Sequence, residues 1–169
     1  MEATKKSRKK KQEKISDNIS YKEATYSQTA AKHQIKNVPT ETHLKNMKVT
    51  ADKVFQPLRK WCEHPIRINS FYRSPELCEK IGSTTKSQHT KGQAIDMTTK
   101  GEKSNRELFE WLKENSDFDQ MIWEFGGDPA QEDSSPQWIH ISYVSKKANR
   151  NRILRAVRKG TQTTYYVMS

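Results

Sequence analysis

The sequence predicts an α+β domain in which a small, mainly antiparallel sheet carries helices on one side. Three observations predict it. Apolar residues recur at helical spacing between Leu44 and Cys62; the helix-start signals at Ser20, Ser74 and Ser104 are separated by short strand-like runs; and the elements follow the order helix, helix, strand, helix, strand, helix, strand, strand. A chain of 169 residues is the size of one domain and has no internal repeat.

Residues 1–14 hold seven Lys/Arg against two Glu and read as a disordered basic extension. Ser20 with Glu23 forms a capping-box pattern, predicting a first helix that runs to about Gln34. Leu44, Met47, Ala51, Val54, Phe55, Leu58 and Cys62 make the buried stripe of a second helix, which His64-Pro65 ends because a residue before proline avoids the helical region. Ile66 to Ser70 alternates as a half-buried strand. Ser74-Pro75-Glu76 starts a two-turn helix that Gly82 stops, Gly82 to Gly92 is loop, and Ala94 to Met97 is a short strand. A second capping box, Ser104 with Glu107, opens a helix to about Asn115. Strands are predicted at Phe118–Phe125 and Trp138–Tyr143, with a long loop between them. Residues 15–145 thus form the domain proper, and 146–169 a basic segment with a helix around Ile153, Leu154 and Val157 and an edge strand at Thr163 to Val167.

The net charge of +11 belongs to the ends: residues 1–14 carry +5, residues 146–169 carry +7, and the body between them is −1. A positive tail attracts polyanions, but a body without basic, aromatic-interleaved patches argues against specific nucleic-acid binding. Cys62 and Cys78 are too few and too far apart for a disulfide framework or a thiolate metal site. The charged N-terminal run has no apolar segment after it, and no stretch of about 18 apolar residues occurs, so neither a signal peptide nor a transmembrane span is expected.

His89, Asp96 and His140 stand out together. Imidazole and carboxylate suit zinc, and three protein ligands leave a fourth position open for water. A separation of seven puts His89 and Asp96 on opposite faces of a single strand, so a turn at Gly92 is needed to bring both to one ion. On the third segment Trp138, His140 and Ser142 share a face, while Ile139, Ile141 and Tyr143 point inward.

The stretch Ser87-Gln88-His89-Thr90-Lys91-Gly92-Gln93-Ala94-Ile95-Asp96 and the later Trp138-Ile139-His140-Ile141-Ser142 resemble the signature motifs of the zinc D-alanyl-D-alanine carboxypeptidases, peptidases with the Hedgehog/DD-peptidase fold. Ile19–Ala24, Ile68–Pro75 and Phe118–Phe125 extend the resemblance over about residues 15 to 145. It implies a zinc (Zn2+) metallopeptidase with His89, Asp96 and His140 on the metal. The family's general base is often an acid three residues before the last histidine. Here that residue is Gln137, so Glu124 on the preceding strand takes the role, with the loop acids Glu132 and Asp133 as less favourably placed alternatives. Arg73 is expected to steady the oxyanion or grip a substrate carboxylate, and Ser87 to bind a carboxylate or merely cap its loop. Tyr72 and Trp138 would wall the peptide cleft, and Asp119 and Gln120 would support a ligand imidazole.

The implied substrate is a peptidoglycan stem peptide, cut as a D-Ala-D-Ala carboxypeptidase or endopeptidase by a monomer whose basic ends contact the anionic cell wall. Without an export signal, the expectation is cytoplasmic synthesis and action after release, as for a phage lysis enzyme (endolysin) or virion protein. The alternative, motivated by Gln137, is an inactive zinc-binding or wall-binding module of the same fold.

Overall fold

The computed structural model describes residues 14–168, so the predicted disorder at the N-terminus lies outside the described residues except at Lys14, which already belongs to a strand. Strands β1 (Lys14–Ser16) and β2 (Ile19–Ser20) form a small antiparallel ribbon. The single helix expected to Gln34 is two: α1 (Tyr21–Thr25) and α2 (Gln28–His33). The break lies at Tyr26-Ser27, where Ser27 takes an extended backbone and accepts from the Ala30 amide, starting a new helix.

The next helical stretch runs without a gap through α3 (Glu41–Thr50), a π turn (Ala51–Phe55) and α4 (Gln56–Cys62). Pro57 lacks the N–H that would continue the ladder, and the widened turn directly before it absorbs the loss. Met47, Ala51, Val54, Phe55, Leu58 and Cys62 all lie in the core. Strand β3 (Ile66–Ser70), helix α5 (Pro75–Lys80), strand β4 (Ala94–Thr99) and helix α6 (Asn105–Asn115) follow, the last opened by the reciprocal Ser104–Glu107 cap. Strands β5 (Gln120–Glu124) and β6 (Trp138–Ser142) flank the long loop.

The helix expected around Ile153, Leu154 and Val157 is instead strand β7 (Arg152–Lys159), paired with β8 (Gln162–Val167). Three-residue spacing misleads here because β7 lies inside the sheet with both faces partly covered: Leu154 and Ala156 are buried on one face, and Ile153 packs on the main core from the other. Gly160, at φ 61° in the two-residue turn between Lys159 and Gln162, makes the hairpin possible.

The main sheet has the order β3-β4-β6-β5-β7-β8, antiparallel at every joint except β5–β7, which is parallel. Arg152–Lys159 and Gln162–Val167 within the basic C-terminal segment are therefore part of the sheet. Ile95, Met97, Met121, Trp123, Ile139 and Ile141 project into one core with the helices, which leaves the opposite face of the sheet free for polar residues. Proline in an inner strand removes a ladder donor, so Ala156→Pro is expected to lower the thermal midpoint of the whole domain in a single transition. An unchanged midpoint in a thermal melt would mean that the hairpin is not integral to the fold.

Candidate metal centre and active site

The polar face of the sheet carries the site, and strand register sets its spacing. Asp96 on β4 is paired with His140 on β6, and His140 with Ile122 on β5. One step along the sheet, Trp138 is paired with Glu124. Strand alternation therefore puts Asp96, His140 and Glu124 on one face.

His89 arrives from a different element, a 3-10 turn (Gln88–Lys91). Gly92 ends that turn at φ 69°, where an added Cβ would lie 2.6 Å from the His43 carbonyl oxygen and from Met47 Cγ. The reversal predicted between His89 and Asp96 is thus present and needs glycine. The ligand-type atoms of His89, Asp96 and His140 all lie within 4.8 Å of one another, an arrangement that could hold a metal ion.

The proton inventory shows that these residues fit a cation. His89 Nδ1 lies 2.7 Å from the Phe71 carbonyl oxygen, which can only accept, so Nδ1 carries the proton. Burial pushes the imidazole pKa down, so the ring is neutral and Nε2 presents a bare lone pair. That buried Nε2 has no hydrogen-bond donor and faces Asp96 Oδ1 at 3.2 Å. Burial alone would raise Asp96, yet its carboxyl lies well below the usual range, with Arg73 Nη2 on Oδ2 and His140 Nδ1 beside Oδ1. Two lone pairs thus face each other in a dry site, which a cation between them would satisfy. His140 brings Nδ1 to 2.8 Å of the same oxygen.

Arg73 donates from Nη2 to Asp96 Oδ2 and from Nε to Ser70 Oγ at 2.7 Å. It therefore turns the second carboxylate oxygen away from the imidazoles and leaves Oδ1 for them. This contact to Asp96 is additional to the expected role on oxyanion or substrate, and Arg73 also lines the cleft. Ser87 Oγ accepts from the His89 amide at 3.3 Å, the capping role, and also borders the cleft.

Glu124 is buried to 7% exposure on the cleft side, and burial pushes its carboxyl up to about 7. That value suits a group that must take and return a proton near neutrality. Glu132 and Asp133 are exposed and do not border the cleft. Trp138 does border it, edge-on to Phe125 at 5.3 Å. Tyr72 does not: it is 4% exposed, packed in the core against His43, so its expected substrate contact is corrected to a structural one. Asp119 does not support a ligand imidazole either. It accepts from Gln88 Nε2 at 2.9 Å and from Arg150 Nε at 2.9 Å, clamping the His89 turn to the start of β7.

Sequence reading missed four contributors: Ser70, the Phe71 carbonyl, Arg150 and the cleft face of the hairpin. Gly160 before a threonine- and tyrosine-rich run was the available signal for the last. Phe71 acts through its backbone and Arg150 through a partner 31 residues away, so neither leaves a local pattern, whereas Ser70 lies only three residues before Arg73. The cleft has a volume of about 1030 Å³, enough for a peptide segment.

A buried histidine–carboxylate cluster that could hold a metal ion lies beside a carboxyl of raised pKa, open to a peptide-sized cleft. The chain belongs to the peptidase M15 family, whose model, described as Peptidase M15, matches residues 17–142. It is accordingly a zinc metallopeptidase. No curated protein matches it in sequence. A solved structure of a mutant vancomycin resistance D,D-pentapeptidase VanY from a VanB-type resistance cassette, in complex with Zn(II), is 21% identical, covering 61% of this chain and 73% of that one. Its TM-score of 0.39 is too low a likeness to bear on the site.

The raised Glu124 carboxyl has a consequence for the metal-free protein. Its stabilising contribution is complete below the ordinary carboxyl pKa of 4.5 and is lost as pH rises through about 7. Glu124→Gln cannot ionise, so its stability advantage over the wild type should grow between those values and then level off. Urea unfolding of both proteins from pH 4.5 to 8 checks this.

Proposed function

We propose that the protein hydrolyses peptidoglycan stem peptides as a D-Ala-D-Ala carboxypeptidase or endopeptidase, with His89, Asp96 and His140 holding the zinc and Glu124 as general base. The observation that supports it most is the bare His89 Nε2 facing Asp96 Oδ1 in a buried site, beside a carboxyl group poised near neutrality. A zinc ion there supplies Lewis acidity, drawing electron density from the scissile carbonyl and acidifying water.

The side chains do the rest. Glu124 takes the proton of the attacking water and returns it to the leaving nitrogen, crossing between its two states with little cost because burial has raised its pKa. Phe71 fixes the His89 tautomer, and Arg73 fixes the Asp96 carboxylate. Arg73 also borders the cleft, so its remaining nitrogen can assist a substrate oxygen. Trp138 offers an aromatic wall for the peptide.

Zinc-loaded wild type should release amine from D-Ala-D-Ala peptides or from purified cell walls. Glu124→Ala should lower the rate by about 10²- to 10⁴-fold while still binding zinc. If the wild type and the variant are equally inert, the protein is a zinc-binding module and not an enzyme. The basic ends serve wall contact in this reading, as in a phage lysis enzyme or virion protein. Deleting residues 1–14 should weaken wall co-sedimentation at low salt and matter little at high salt; binding that is unchanged at low salt excludes the tail from that role.

A further inference from the structure

The last two strands reach the catalytic face. Register places Asp96, His140, Ile122, Leu154 and Val167 in one row across the sheet, and Trp138, Glu124, Ala156 and Tyr165 in the next. With strands about 4.8 Å apart, Tyr165 starts about 10 Å from Glu124. Only the methyl group of Ala156 stands between them. Tyr165 is 52% exposed on this face, and its hydroxyl is pushed up first by burial of its polar end and then by the charges of Glu124 and Asp96. The hairpin is thus a wall of the active-site cleft.

The wall is cationic at both ends. Arg152 and Arg158 border the cleft and are six residues apart on β7, about 20 Å along a strand, with apolar Leu154 and Ala156 between them. Arg73 is taken by Asp96 and Arg150 by Asp119, but Arg152 and Arg158 have no carboxylate within ion-pair distance among the described residues. The Arg158 guanidinium is held 4.8 Å over the Phe125 ring, which in turn packs on Trp138. Glu124 is the only cleft-lining carboxyl not already paired with an arginine among the described residues.

We propose that the β7–β8 hairpin is a specificity wall that selects acidic peptides, with Arg152 and Arg158 each receiving a free carboxylate of a chain lying over Leu154 and Ala156. The proposal rests on the cleft being a peptidase active site. It goes beyond the family, since both arginines lie outside the matched residues 17–142. An extended peptide spans the separation of the two arginines in about six residues, so one chain can reach both. Each would gain a charge-assisted hydrogen bond that a neutral peptide cannot make.

The test uses zinc-loaded Glu124→Gln protein, full length, and fluorescent peptides that differ only in Glu or Gln at two positions about six residues apart. The acidic peptide is expected to bind about tenfold more tightly per carboxylate, and Arg152→Gln and Arg158→Gln should each remove about one such factor. Arg152→Lys and Arg158→Lys should keep part of the preference, which separates recognition from misfolding. Lys113→Gln, on the exposed side of α6, should change nothing. Equal binding of the two peptides, no binding of either, or a preference that survives in the double Gln variant overturns the proposal. A polyanion that competes fully while neutral and acidic peptides bind alike would assign the wall to polymer binding instead. If the acidic preference behaves as expected but zinc-loaded wild type cleaves neither peptide, the wall stands and the peptidase reading falls.

Discussion

The structure turns on a repulsion. His89 Nε2 and Asp96 Oδ1 meet at 3.2 Å, both buried and both presenting lone pairs. The Phe71 carbonyl occupies the only proton the neutral ring has, and the Asp96 carboxyl is held ionised. In water such a pair would turn apart or take up a proton. Here neither partner can turn, because one is fixed by a glycine-dependent reversal and the other by the register of an inner strand. A cation between them would relieve the repulsion.

What holds those acceptors in place is the division of the sheet into two faces. The apolar face, with Ile95, Met97, Met121, Trp123, Ile139 and Ile141, is sealed by the helices. The other face is then free to carry Asp96, His140 and Glu124, half desolvated by their neighbours. Burial pushes both carboxyls up, and their neighbours make the difference. Glu124 rises toward neutrality because no cationic partner outweighs burial, while Asp96, with His140 on one oxygen and Arg73 on the other, lies well below the usual range. Two carboxyls two strands apart thus differ in their affinity for a proton. Beyond the ligands, Asp119 joins Gln88 to Arg150 and so couples the His89 turn to the last hairpin.

Much of this was legible in the sequence. The capping residues Ser20, Ser74 and Ser104 start helices as expected, and the three- and four-residue stripe from Met47 to Cys62 is core. These features are local, fixed by hydrogen bonds and burial within a few residues. The boundaries that failed were those where a tertiary partner outvoted the local pattern. Ser27 splits one helix into two, and β7 reads as a helix in sequence because the residues of a strand covered on both faces do not alternate cleanly. Tyr72 failed for a related reason: flanking a site residue in sequence, it points to the other side of the chain, into the core.

By itself the sequence determined which donor groups are present: the imidazoles of His89 and His140, the carboxyls of Asp96 and Glu124, and a glycine where the chain must reverse. Residue identity sets donor atoms and backbone freedom, and both can be read without coordinates. Only the tertiary structure decided what those groups face. The His89 tautomer depends on a carbonyl 18 residues away, the task of Arg73 on the second oxygen of Asp96, and the far wall of the cleft on a parallel pairing of β5 with β7. Proton positions, carboxylate orientation and cleft shape are properties of neighbours in space, which a linear pattern does not encode.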